Sequence, residues 1–325
     1  MITRITTKTH EEWLELRSRY IGGSDAAAVV GLNPWSSPYS LWCEKTGKTP
    51  PFEGNLATEV GTYLEEFIAK KFESETGKKV RRANQSILND KYPFAIANID
   101  REIVGEDAGL ECKSTSELNL SRFQNGEFPT NYYCQCVHYL GVTEKKRWYL
   151  ACLIGNKNFK IYQLTRVPND EKPEWCEASL YISDSEIASL MKAESDFWYK
   201  VEHDINPGFD GSEATAEALK TIFADSAPGR SCDLTAISTH LQIYSQLKAR
   251  AKEIDEELNQ QQAYIMDFMQ DAEKGSWNNI SVSFKTQERK TFDRKAYEAD
   301  HGAISDKYFK TSTSRPFKVT ERKTK

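Results

Sequence analysis

Long apolar stretches are missing from this chain: nowhere do the roughly 18 consecutive apolar residues of a membrane-spanning helix run together. The first residues, MITRITTKTHEEWLEL, mix charges into what would be the apolar stretch of a signal peptide, so a cytoplasmic protein is expected. No Cys-x-x-Cys pair occurs among the seven cysteines, which excludes the common zinc and iron-sulfur ligand spacings and leaves reduced thiols packed in the interior as the expectation. Repeats and low-complexity segments are absent too. What is there is the composition of a globular protein, 39% hydrophobic and 28% charged over 325 residues, enough for one substantial domain plus an appendage.

The formal net charge of -5 argues against nonspecific coating of nucleic acid, but its distribution is uneven. From Lys285 to Lys325 there are 12 Lys plus Arg against 6 Asp plus Glu, a tail of +6 on a remainder of -11. An acidic body can still approach DNA where metal ions neutralise its carboxylates and a basic strip follows the phosphates.

Periodicity and turn residues predict a helix over 10–20, a Gly22-Gly23 turn, and a short helix capped by Ser24 or Asp25 that ends at Gly31. Val60, Leu64, Phe67, Ile68 and Phe72 predict a helix over 56–76 with one buried face, closed by Gly77. Short β runs follow at 79–82, 94–97, 99–104 and 109–113, read as a meander, then a helix over 130–140 and strands at 147–154 and 159–165. That order predicts an α/β (α+β) core, a central mixed sheet with helices, one sheet face covered. A helix over 184–203 completes a domain over 1–205. A Gly/Ser/Ala/Asp-rich linker over 206–231 precedes a C-terminal extension, 232–325, with a long amphipathic helix or coiled-coil hairpin and the basic tail.

The sharpest chemical feature is Asp100, a glycine turn, and Leu110-Glu111-Cys112-Lys113. Strand alternation puts Glu111 and Lys113 on one face, so two carboxylates and an ammonium converge. Oxygen donors of this kind suit Mg2+, with Mn2+ as a substitute, in a shell completed by water and phosphate oxygens. A metal that polarises a phosphate, beside a lysine that orients or deprotonates water, is the equipment of phosphodiester hydrolysis. Alone the triad also fits a solvated strand face.

Three further places bear on the choice. Glu65 lies in a helix that looks buried, where a metal would satisfy its charge; alternatively it is one of several solvated helix charges beside Glu66 and Lys70. Gln135, in Asn131-Tyr132-Tyr133-Cys134-Gln135, could hold a water or phosphate or be a hydrogen-bonded helix residue. Arg17 and Ser24 bracket a glycine-flanked helix start, which is either an anion site or an ordinary capped turn.

The order and spacing of these parts, over Glu11 to Arg166, resembles the lambda exonuclease family, in particular its YqaJ-like viral recombinase branch, with a restriction-endonuclease-like PD-(D/E)XK fold. The resemblance implies a 5'-phosphate contact by Arg17 and Ser24 and catalysis by Asp100, Glu111, Lys113, Gln135 and Glu65. It implies one or two metal ions held by Asp100, Glu111, the Cys112 backbone carbonyl and Glu65. It further implies digestion of the 5'-ended strand from double-stranded DNA ends and hand-over to a single-strand annealing protein of the RecT or Bet kind. A homo-oligomer, a trimeric ring threaded by DNA, and a phage or prophage origin in a bacterial host also belong to what it implies. Two features depart from the family pattern: Ile99-Asp100-Arg101 stands in place of Pro-Asp-Gly, and Cys112 sits inside Glu-x-Lys. Competing readings are another nuclease on the same fold, an endonuclease among them, and a non-catalytic module for DNA ends or partner loading. An iron-sulfur nuclease is disfavoured by the cysteine spacing.

Overall fold

The computed structural model describes residues 1–310, 312 and 314–319, and divides into two compact units, Met1–Ala224 and Asp225–Lys325. Thr311, Thr313 and 320–325, part of the expected basic tail, lie outside the described residues.

In chain order the first unit contains β1 (Ile2–Ile5), α1 (His10–Ser18), β2 (Ile21–Gly22), α2 (Gly23–Val29), α3 (Pro38–Lys45), α4 (Leu56–Thr76), β3 (Val80–Arg82), β4 (Ser86–Asn89), β5 (Ala95–Asn98), β6 (Arg101–Ile103) and β7 (Ala108–Thr115). After these come α5 (Thr130–Thr143), β8 (Arg147–Ile154), β9 (Asn158–Thr165), β10 (Ala178–Tyr181), α6 (Asp184–Glu202) and α7 (Glu213–Ile222). Six strands form a central mixed sheet in the order β10-β9-β8-β7-β6-β3, with β7 parallel to β8 and β10 parallel to β9. The expected mixed α/β core is present. Its sheet is covered on both faces rather than one, because β8 is apolar on both sides of its pleat, with Trp148, Leu150 and Cys152 in one core cluster and Tyr149 and Ala151 in the other. Ile68 and Phe72 of α4 pack on Leu110, Cys112 and Tyr149, while Val137 and Leu140 of α5 pack with Trp148 and Leu150.

The meander expected over 79–113 is divided between two sheets. β5 belongs to a smaller sheet, β1-β4-β5-β2, and β6 to the larger one. The chain crosses between them at Ile99-Asp100, so the strand expected over 99–104 is confined to Arg101–Ile103. Ile99 anchors the crossing by burying its side chain in the core with Ala97 and Trp148. Asp100 then turns toward β7, where its Oδ2 accepts the Cys112 N–H at 2.8 Å in place of a strand partner.

Three other expectations are corrected. The cap of α2 is Gly22, whose N–H donates to Asp25 Oδ2 at 3.0 Å, so Asp25 serves the helix start from inside its first turn. On α4, Leu64, Ile68 and Phe72 are inward but Val60 and Phe67 are 44% and 53% exposed; Phe67 is turned about 100° from Ile68 around the helix axis. Within the expected linker, α7 buries Ala218 and bonds the Thr215 hydroxyl to Ser37 at 2.7 Å, which extends the first unit to Ala224.

The second unit holds α8 (Ser238–Met269), the hairpin β11 (Lys274–Trp277) with β12 (Ile280–Ser283), and α9 (Arg294–His301). α8 is one unbroken helix rather than a hairpin, and its seam residues Leu247, Ile254 and Leu258 are exposed. Six cysteines are buried as expected; Cys232 is exposed. No helix among the described residues is long and apolar enough to cross a membrane.

Candidate active site

Both sides of the candidate site are set by β7. Its pleat turns Cys112 into the α4 face of the core and brings Glu111 and Lys113 together on the other, with Lys113 Nζ 2.6 Å from Glu111 Oε1. Gln135, buried on α5, donates from Nε2 to the same Oε1 at 2.7 Å. One carboxylate oxygen therefore has two donors. The other, Oε2, is buried with no hydrogen-bond partner. A buried carboxylate oxygen left bare is costly, and a cation is the ligand that satisfies it.

Electrostatics point the same way. Burial, then the nearby Asp100 carboxylate, pushes the Glu111 pKa up to about 8. Burial likewise raises Asp100 above the usual carboxylate range against the opposing pull of Lys113. Glu65, half-buried on α4, is raised by burial and then by Asp100, which places it within the field of the pair. Burial opposes the charge on Lys113, but Glu111 and Asp100 outweigh it and raise its pKa, so the ammonium is retained. Three carboxyl groups whose charges resist one another, with a bare oxygen on one, fit a hard divalent cation. They do not form a ready cage: among the described residues no three His, Cys, Asp or Glu side chains converge closely enough to hold an ion by themselves. Magnesium, which keeps several waters, asks for fewer protein ligands than that.

The Cys112 thiol is no candidate ligand, since burial holds its pKa well above the ordinary value and it packs among apolar side chains. Its backbone is better placed. The last β6–β7 pair is Arg101↔Leu110, so the Cys112 N–H and carbonyl lie beyond the ladder on the edge where Asp100 stands.

Arg17 and Ser24 also meet. Arg17 Nη2 donates to the Ser24 Oγ at 2.8 Å, and Arg17 lies over the Trp13 ring with its Cζ 5.4 Å from the ring centroid. Behind them Lys45 Nζ is 2.9 Å from Asp25 Oδ2, with a Lys45 side chain only 3% exposed. Burial opposes the Asp25 charge, but Lys45 and Arg17 outweigh it and lower its pKa. The arrangement leaves an exposed hydroxyl and a half-exposed guanidinium at the start of α2, beside the Asp25–Lys45 ion pair.

Sequence reasoning missed the residues that join these two groups. Trp13 Nε1 donates to Asn98 Oδ1 at 3.1 Å, and the Tyr139 hydroxyl donates to Asn98 O at 2.8 Å while accepting from Gln135 at 2.9 Å. The available signal was helical spacing: Trp13 precedes Arg17 by four residues and Tyr139 follows Gln135 by four. Tyr132 contributes a ring 5.5 Å from Lys113 Nζ.

A mixed sheet covered by helices on both faces, with an Asp, a Glu-x-Lys and a helix glutamine at its centre, defines the class to which the comparisons then give a name. The profile of the YqaJ-like viral recombinase domain matches residues 12–146. The YqaJ protein of Bacillus subtilis (strain 168) is 35% identical over 326 residues, spanning 99% of this chain and 97% of that protein. Among solved structures, an alkaline exonuclease from Laribacter hongkongensis is 19% identical with a TM-score of 0.47, covering 60% of this chain and 94% of its own. A phage related exonuclease from Haemophilus somnus 129PT is 12% identical with a TM-score of 0.43, covering 59% and 96%. The chain belongs to the YqaJ-like viral recombinase family.

Proposed function

We propose that this chain is a magnesium-dependent exonuclease that enters at double-stranded DNA ends and digests the 5'-ended strand, leaving a 3' single strand. The observation that carries the reading is the division of labour on Glu111, whose Oε1 is held by Lys113 and Gln135 while its buried Oε2 is bare beside Asp100. Asp100, Glu111, the Cys112 carbonyl and Glu65 are the groups to hold one or two ions, and Mn2+ would serve in place of Mg2+. When bound, the metal supplies Lewis-acid polarisation of the scissile phosphate. Lys113, whose ammonium Glu111 and Asp100 favour, would orient the attacking water and offset developing negative charge. Gln135 fixes Glu111, and Arg17 with Ser24 receives the 5' phosphate.

Such an enzyme would work in the cytoplasm of a bacterial host, consistent with a phage or prophage origin. It would act as a homo-oligomer, a trimeric ring in the family's manner, and pass its 3' strand to a single-strand annealing protein. The purified protein should be offered linear and circular duplex, labelled at either strand end, in Mg2+ or in EDTA. Loss of 5' label from linear duplex in Mg2+ alone is expected. Equal cutting of circular DNA would favour an endonuclease, and no hydrolysis of either would remove the enzymatic reading.

A further inference from the structure

We infer that the Tyr139 hydroxyl is a positioning group of this site, holding the Glu111 and Asp100 sides of the metal centre in register with each other and with Arg17 beside α2. The inference rests on the nuclease reading for its kinetic consequence, though its geometry stands independently.

Tyr139 is 3% exposed and lies one turn beyond Gln135 on α5. The Gln135 amide has two N–H groups, and both are committed: one to Glu111 Oε1 at 2.7 Å, the other to the Tyr139 hydroxyl at 2.9 Å. The amide cannot turn without losing one of them, so the hydroxyl locks the donor that fixes Glu111. In the other direction the same hydroxyl donates to Asn98 O at 2.8 Å. Asn98 precedes Asp100 by two residues, and its side chain is itself held by Ser86 at 2.6 Å and by Trp13, over which Arg17 lies. One oxygen thus ties α5, the Asp100 crossing and, through Trp13, Arg17.

The ring is fixed as firmly as the hydroxyl. A Cβ added at Gly23 would stand 2.6 Å from Tyr139 Cε1, and the Trp148 ring packs on it at a centroid distance of 4.9 Å. Glycine at the first residue of α2 is what lets that helix start approach the ring. Tyr139, buried away from solvent, acts through Gln135 and Asn98.

Tyr139→Phe keeps the ring and removes the two hydrogen bonds. Loss of a group that orients a metal ligand typically costs roughly tenfold to hundredfold in metal affinity or activity. The expected result is a loss of Mn2+ affinity of about tenfold in calorimetric titration of the DNA-free protein, at the low end of that range. In digestion of linear duplex the Mg2+ half-saturation should rise and kcat should fall while KM for DNA ends stays within twofold. A role confined to packing would lower thermal stability and the active fraction but leave the metal dependence of the folded protein unchanged, and that outcome overturns the inference. Should Tyr139→Phe fail to fold, Gly23→Ala, which displaces the ring without deleting the hydroxyl, should show the same weakening of Mn2+ binding; wild-type affinity there overturns it equally. The calorimetric arm uses no DNA. A wild-type protein that binds Mn2+ but digests nothing therefore sinks the nuclease reading alone, and unchanged affinity in a digesting variant sinks the positioning role alone.

Discussion

His138 Nδ1 stands 2.9 Å from Glu194 Oε1 with neither side chain exposed to solvent, and the other ring nitrogen faces the Ile96 carbonyl at 3.0 Å. Both nitrogens thus meet acceptors, so the pair must hold a proton between them. Burial opposes the charge on His138 but Glu194 outweighs it and raises its pKa; burial raises that of Glu194. Removing one partner strands the other in the core, and His138→Ala should cost about 3–5 kcal/mol in urea unfolding. Because both folded pKa values are raised, the proton is bound more tightly in the folded state. The stabilisation is complete at acid pH and declines as pH rises through the folded values. A loss under about 1 kcal/mol for His138→Ala would place the pair among dispensable contacts.

Glu111 has a linkage of the same sign with a narrower window. Its ordinary pKa of 4.5 is raised to about 8, so without metal the folded state holds a proton that the unfolded state gives up. Stability in EDTA should therefore fall as pH rises from about 4.5 to about 8 and level off above. Mg2+ takes the place of the proton, so the decline should shrink when it is added. Thermal melts across that range, with Glu111→Gln as reference, isolate the effect. Parallel slopes for wild type and Glu111→Gln in EDTA would show that the burden lies elsewhere.

Asp100→Ala, Glu111→Ala and Lys113→Ala should each reduce Mg2+-dependent hydrolysis of linear duplex by 10²-fold or more, about 2.7 kcal/mol of barrier, with folded protein recovered. Initial rates on the purified variants check this. Glu65→Ala and Gln135→Ala should lose activity too. Near wild-type turnover in folded Glu111→Ala would mean that the chemistry is done somewhere else.

Arg17→Ala should collapse a preference for 5'-phosphorylated over 5'-hydroxyl ends, because a terminal phosphate carries more charge than a diester and the guanidinium beside the α2 start rewards it. The measured quantity is the ratio of initial rates on the two ends. If both rates drop with the ratio intact, Arg17 serves general DNA binding or the fold.

How much of this was legible in the sequence depended on whether the signal was local. The α4 boundaries could be read from apolar residues at helical spacing and from Gly77, which stops the helix at φ +70°. The Glu111–Lys113 pairing followed from the two-residue strand period alone. The division of the meander into two sheets was not readable, since Ile99 looks like any strand residue until its burial in the core is known. Tyr139 was hidden for a similar reason: its partners Asn98 and Gly23 are distant in sequence, and an aromatic residue on an apolar helix face reads as packing. α7 was missed because Gly, Ser and Asp around it suggest a linker, whereas Thr215 and Ala218 close onto α3 and α6 residues through tertiary contacts.

The crossing at Ile99-Asp100 gives the two sheets unequal responsibility for activity. Asp100 hangs between β5 of the smaller sheet and β6 of the larger, whereas Glu111 and Lys113 ride on β7, deep in the larger one. Partial opening of the smaller sheet, held at β2 by only two residue pairs, would carry Asp100 away while leaving β7 and its neighbours intact. Heat or denaturant should then silence the enzyme before the main cooperative transition, and amide hydrogens of β4 and β5 should exchange ahead of those of β7 and β8.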